Sequence, residues 1–268
     1  MSKALFRSML MSHGRTMIGY GFGMAIYQWL FIWVYPTLTK SSAMNSLLQS
    51  MPQGLMKVIG YNNGIGQLTD YLAGEFYGLI YIIVFAIFAI TISTKLVAHL
   101  VDNLSMAYLL STPVSRVRLA VTQAATLVTG AGVIALLCTV GGILGSRWFA
   151  PHSPLDTGKF IQLNLVGFLL FVVICAYAFL FSCVSRDERA SNGLSAGLTL
   201  VFYALNTVGL LATHLSWMRR LSIFSAFNPQ NIVHGQAHVV LLCISLAIGS
   251  ILLFAAAVAG FRRRELAL

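Results

Sequence analysis

The chain predicts an all-α polytopic membrane protein with six transmembrane helices, and three observations carry that prediction. Hydrophobic residues make up 58% of the 268 positions and charged residues only 9%. A soluble domain carries about 25% charged residues, so the apolar surface here calls for a bilayer as solvent. Spans of roughly 20 residues, the length that crosses about 30 Å of hydrocarbon, lie at about 17–38, 78–98, 119–145, 160–183, 193–213 and 236–261. The seventeen Lys and Arg residues are scattered at the ends of these runs, not gathered in one patch.

That distribution predicts topology. Lys3, Arg7, Arg15, Lys95, Arg116, Arg118, Arg186, Arg189, Arg262, Arg263 and Arg264 fall on one side; Lys40, Lys57, Arg147, Lys159, Arg219 and Arg220 fall on the other. The excess places both termini in the cytoplasm by the positive-inside rule. The net charge of +10 therefore reports orientation and headgroup contact, and nucleic acid is not an expected partner.

Each element has its own signature. Residues 3–15 interleave Leu5, Phe6, Met9 and Leu10 with Lys3, Arg7, Ser8 and Ser12, the pattern of an N-terminal interfacial helix. The apolar run that follows is too long for a signal-peptide core and has no small-residue cleavage site, so it reads as an uncleaved span. It opens on Gly19-Tyr-Gly-Phe-Gly23, which permits close helix approach, and leaves through Trp29, Trp33, Tyr35 and Pro36. Residues 39–71 form the longest extramembrane stretch; Leu47, Leu48, Met51, Leu55, Met56, Val58 and Ile59 around Pro52 suit a short outer amphipathic helix ended by Asn62-Asn63-Gly64 and Gly66.

Between the second and third spans, Tyr108, Leu109 and Leu110, closed by Pro113 and followed by Arg116 and Arg118, suit a short helix at the membrane surface docked into another protein. The fifth span opens on a second small-residue face, Gly193-Leu-Ser-Ala-Gly197, and carries Asn206 about midway. Residues 214–235 are apolar but broken by Arg219, Arg220, Asn228, Pro229 and Asn231. A re-entrant outer hairpin accommodates them, since irregular backbone at membrane depth needs protein or water to cover it. With no repeat, linker or low-complexity tract, residues 1–268 read as a single transmembrane domain.

These residues resemble the permease subunits of ABC type-2 exporters. The most specific match is Leu109-Leu-Ser-Thr-Pro-Val-Ser-Arg116; Asp102 and Ser105-Met106 stand where that family usually has a glutamate pair and Gly-Thr. Ser185-Arg-Asp-Glu-Arg-Ala190, Phe227-Asn-Pro229 and Phe261-Arg-Arg-Arg-Glu265 follow in the same order. The resemblance implies a permease in the plasma (inner) membrane of a prokaryote, with a cytoplasmic coupling helix after the second span. It also implies a dimer with a second copy of itself, two copies of a separate ABC ATPase subunit, and an amphiphilic small-molecule, lipid or peptide substrate.

On that reading Asp102, Leu104, Tyr108, Leu109 and Leu110 make the ATPase contact, Pro113 ends the helix and Arg116 pairs with acidic ATPase groups or lipid phosphate. The family's path between the first, second and fifth spans selects Phe22, Tyr27, Trp29, Trp33, Tyr203 and Asn206 as lining; for Trp29 and Trp33 an aromatic belt competes, and for Asn206 an interhelical hydrogen bond. The chain lacks a Gly-rich loop followed by Lys-Ser or Lys-Thr, so ATP and Mg are expected in the partner, with no cofactor bound here. His234 and His238 are four apart without a third ligand in view, and Cys138, Cys175, Cys183 and Cys243 read as packing residues, so neither metal nor catalysis is expected. The absence of charge deep in any span argues against a proton-coupled carrier. A stand-alone scaffold or channel with a partner-binding cytoplasmic turn is the competing function. Asp187 and Glu188 are expected to pair locally with Arg186 and Arg189.

Overall fold

The computed structural model describes residues 3–39, 67–103, 115–153, 155–185 and 187–263, and every regular element among them is helical. Six helices or helical runs are long and apolar enough to cross a bilayer. The first is α1 (Lys3–Thr39). The second is composite: α2 (Leu68–Glu75), a π-helical turn (Phe76–Ile80), α3 (Tyr81–Leu96) and α4 (Ala98–Asp102). The remaining spans are α5 (Arg116–Phe149), α6 (Thr157–Val184), α7 (Glu188–Leu211) and α9 (Val239–Arg263). Between α7 and α9 lie two 3-10 helices (Thr213–Leu221 and Ile223–Ala226) and the short α8 (Pro229–Val233).

Polar caps set several of these starts, satisfying backbone N–H groups that a first turn leaves free. Ser115 Oγ accepts from Arg118 N at 3.3 Å, Asp156 Oδ1 from Lys159 N at 3.1 Å, and Asp187 Oδ1 from Ala190 N at 2.6 Å. Asn228 Oδ1 caps α8 at Asn231 N, with Pro229 in the first helical position, where its missing N–H costs nothing.

The separate N-terminal interfacial helix is corrected: residues 3–15 continue into the first span without a break, because no residue there interrupts the helical hydrogen bonds. At 1.5 Å per residue the 37 residues of α1 run about 55 Å, well beyond the hydrocarbon thickness. Pro36 lies inside its last turn, not at its exit.

Helix α6 is the hub, with 72% of its most apolar window buried against 11% for α9. It packs on α3, α5, α7 and α9, whereas α9 turns Val240, Ile251 and Leu252 outward, as a lipid-facing helix does. Helices α1 and α5 run side by side along a seam in which small residues let the other helix come close: Gly21 faces Leu137, Ala25 faces Gly141, and Gly145 faces Trp29 and Ile32. A Cβ on Gly141 would come within 2.7 Å of Ala25 Cβ, so this approach admits only glycine. The closeness lets Trp29 Nε1 donate to Gly141 O at 2.6 Å.

The expected outer helix within 39–71 falls largely outside the described residues, as does the coupling helix containing Leu104, Tyr108, Leu109, Leu110 and Pro113. The region expected as an outer hairpin is a chain of short helices folded back on α7 and α2. Gln230 Nε2 donates to Asp70 O at 3.0 Å, and His234 Nδ1 stands 3.6 Å from Asp70 Oδ1.

Candidate functional site

The second span is the only described span whose helix is interrupted twice, and each interruption is held by side chains of other spans. Near the end shared with Lys3, here called the basic face, the chain breaks at Val97 (φ −129, ψ −67). A break in the ladder leaves backbone groups to be satisfied from outside it. Ser182 of α6 supplies both sides at once: its Oγ accepts from Ala98 N at 2.9 Å and donates to Ser93 O at 3.0 Å. Gln123 of α5 donates through Nε2 to Leu96 O. Val97, Ala98 and Ser182 are fully buried.

Around the break, α3 and α4 are tied to the start of α7. Thr94 Oγ1 donates to Asn192 Oδ1 at 2.8 Å and lies 3.3 Å from Ser191 Oγ; His99 Nδ1 meets Glu188 Oε2 at 2.7 Å. Glu188 thus pairs across to α4 and Asp187 caps α7, while Arg186, one of the two arginines expected as local partners, lies outside the described residues. Asn103 follows, its Nδ2 at 3.0 Å from His99 Nε2. Of the predicted contact residues, exposed Asp102 ends α4 and half-buried Arg116 opens α5. They flank the segment carrying the other five, which lies outside the described residues.

Higher in the same span, the π-helical turn places Tyr77 in a buried polar cluster, as such bulges often do where a side chain must be re-aimed. Tyr77 Oη donates to Asn164 Oδ1 at 2.9 Å and accepts from Gln28 Nε2 at 3.3 Å; Cys138 Sγ lies 3.7 Å from both Tyr77 Oη and Gln28 Oε1. Asn164 completes its own needs by donating to Phe160 O at 2.9 Å. All four residues are buried, joining α1, the second span, α5 and α6. Sequence reading passed over Gln28 and Asn164, although a lone amide inside an apolar run is the signal for an interhelical hydrogen bond.

The predicted lining residues divide. Tyr27 borders a groove of about 510 Å³ between α1 and the second span, with Gly19, Tyr20, Gly23, Phe76 and Ile80. Phe22 and Trp33 are exposed along α1. Trp29 turns onto α5 and packs against Trp148 at 5.7 Å. Tyr203 is half-buried against Phe224 of the 3-10 segment, ring centroids 5.8 Å apart. Asn206 Oδ1 is buried without a hydrogen-bond partner among the described residues. Of the six, Tyr27 lines the groove, Phe22 and Trp33 are exposed elsewhere on α1, and Trp29 and Tyr203 are taken up in packing within the chain.

Among the described residues no group of three His, Cys, Asp or Glu side chains is placed to hold a metal ion. Cys138, Cys175 and Cys183 are buried and Cys243 is half-buried.

Six helices long and apolar enough to cross a bilayer, with most of their buried polar side chains hydrogen-bonded between helices, are the architecture of a multi-pass membrane protein. Residues 8–262 match the family described as multidrug efflux system permease Rv1217c, C-terminal domain, and the chain belongs to that family. No curated protein matches it.

Proposed function

We propose that this chain is the membrane-spanning permease subunit of an ATP-driven ABC exporter of the type-2 kind, working as a dimer and driven by two copies of a separate ATPase subunit. Efflux by a permease is what the family's description names, and it supports outward movement. The observation that carries the coupling is the break at Val97. A span interrupted just before its exit, clipped by Ser182 and Gln123 and tied to α7 through His99–Glu188, moves as a lever when its end is pushed. The residues that follow carry the Leu-Leu-Ser-Thr-Pro-Val-Ser-Arg pattern of the coupling helix. Asp102 and Arg116 then bracket the ATPase contact made by Leu104, Tyr108, Leu109 and Leu110, with Pro113 ending the helix.

Two features support a second copy. Among the described residues, nothing lies within 4 Å of where a Cβ would stand on Gly19 and Gly23 of α1 or Gly193 and Gly197 of α7, which suits both small-residue faces to close approach. The groove beside Tyr27 opens on the same flank of α1 and, closed by a second copy, makes an apolar path for an amphiphilic drug, lipid or peptide. The short helices of 213–233 form the re-entrant outer element. Both termini lie in the cytoplasm, and ATP and Mg bind the partner.

The test is Tyr108→Ala with Leu109→Ala. The double variant is expected to insert and dimerise as the parent does while losing its ATPase subunits, and with them the substrate-stimulated ATPase activity. Ser182→Ala is expected to give a partial loss of the same stimulation. Unchanged stimulation in the double variant would refute the coupling role.

A further inference from the structure

At the basic face α9 rests on α6 and meets α5 along only part of its length, leaving a fissure of about 930 Å³ between α5 and α9. Its walls are apolar and largely small, with Ala124 and Val128 on α5 and Ala255 and Ala259 on α9. Arg262 and Arg263 line its mouth, exposed and without an ion pair among the described residues. Along α5 the lining runs from Val117 to Val128, a rise of about 16 Å, close to the half-thickness of a bilayer's hydrocarbon. The fissure shares no lining residue with the groove beside Tyr27.

An apolar slot one leaflet deep, ending at two guanidinium groups, is complementary to a single lipid with a negative headgroup. Arginine offers a planar fork to phosphate oxygens, and basic groups at the membrane surface favour anionic over zwitterionic lipid. A soluble anion has no use for the apolar walls, and a zwitterionic lipid brings a cation of its own beside the two arginines. We propose that the α5–α9 fissure binds one anionic phospholipid of the leaflet at the basic face, with an acyl chain along Ala124, Val128, Ala255 and Ala259 and its phosphate at Arg262 and Arg263. The site depends on the chain lying in a bilayer and not on the export mechanism.

The experiment is native mass spectrometry of the delipidated full chain in mild detergent, titrated with phosphatidylglycerol or phosphatidylcholine of identical acyl chains. One phosphatidylglycerol per chain is expected to be retained, on the order of tenfold more tightly than phosphatidylcholine. Arg262→Gln with Arg263→Gln removes that preference, Arg262→Lys with Arg263→Lys keeps most of it, and Ala124→Phe with Ala259→Phe weakens retention of both lipids by filling the slot. A thermal melt in detergent alone confirms that each variant is folded, and the Ile251→Ala surface variant serves as the reference. Equal retention of the two lipids, a preference that survives the Gln pair in folded protein, or displacement of the lipid by millimolar inorganic phosphate would each overturn the proposal.

Discussion

Tyr77 shows at single-residue scale how this bundle specifies its packing. One hydroxyl, buried at the π-helical turn, gives to Asn164 and receives from Gln28, so three spans are held in register by groups that have no water to fall back on. Tyr77→Phe leaves the Asn164 oxygen and the Gln28 amide short of a partner without changing the ring. A stability loss of about 1 kcal/mol is expected from the unsatisfied groups, tempered by the modest worth of hydrogen bonds inside membranes. A thermal melt in detergent that matches the parent would show that the cluster is idle. None of this was readable from Tyr77 itself, which lies among many aromatics; Gln28 and Asn164 were the legible residues, because an amide is rare in runs this apolar. Asn206 drew attention for the same reason, and its Oδ1 is indeed buried without a partner among the described residues. Trp29 and Tyr203 were chosen as lining, yet one reaches a carbonyl exposed by glycine packing and the other a 3-10 turn, contacts that no spacing along one helix encodes.

For whole elements, periodicity located every span and missed what modifies them. Gly19, Gly21 and Gly23 look like one glycine cluster, but residues two apart lie on nearly opposite sides of a helix while those four apart share a face. Gly21 accordingly packs inward, where its Cβ would come within 2.5 Å of Leu137 Cδ1, while Gly19 and Gly23 stay open. The partners Ala25, Gly141 and Gly145 complete a small-residue seam that was present in the sequence at four-residue spacing. Gly145→Val forces a branched side chain against Trp29 and Ile32, and an overpacking cost of about 1–3 kcal/mol is expected. Gly193→Ala, facing open space, is expected to leave the melting of the separated protomer unchanged. Equal melting of the two variants would contradict the α1–α5 seam. The break at Val97 was less legible still: β-branched valine is common in apolar helices, and only the hydroxyl of Ser182, 85 positions along the chain, marks the place. Residues 3–15 were expected as a helix of their own and instead run on through Gly14 into the first span, because amphipathic composition describes a surface preference and not a helix end.

For the molecule as a whole, composition and charge order were enough to give six helices and a membrane. What they left open is which faces stay unpaired once the bundle forms. Among the described residues such faces include the glycine face of α7, the groove beside Tyr27 that Gly19 and Gly23 also line, and the fissure ending at Arg262 and Arg263. The polar groups that need partners are concentrated on the second span, at Tyr77 and around Val97, and that span leads directly to Asp102. Power entering between Asp102 and Arg116 would therefore reach α5 directly, α6 through Ser182 and α7 through Glu188, and this route is the claim to be tested. Its most direct measurement is co-purification in mild detergent of the tagged chain with ABC ATPase subunits co-expressed from the same genome. Two ATPases for every two permease chains are expected, with the association abolished by Tyr108→Ala and Leu109→Ala. A clean, folded permease that retains no ATPase would contradict it and leave a stand-alone scaffold or channel as the function.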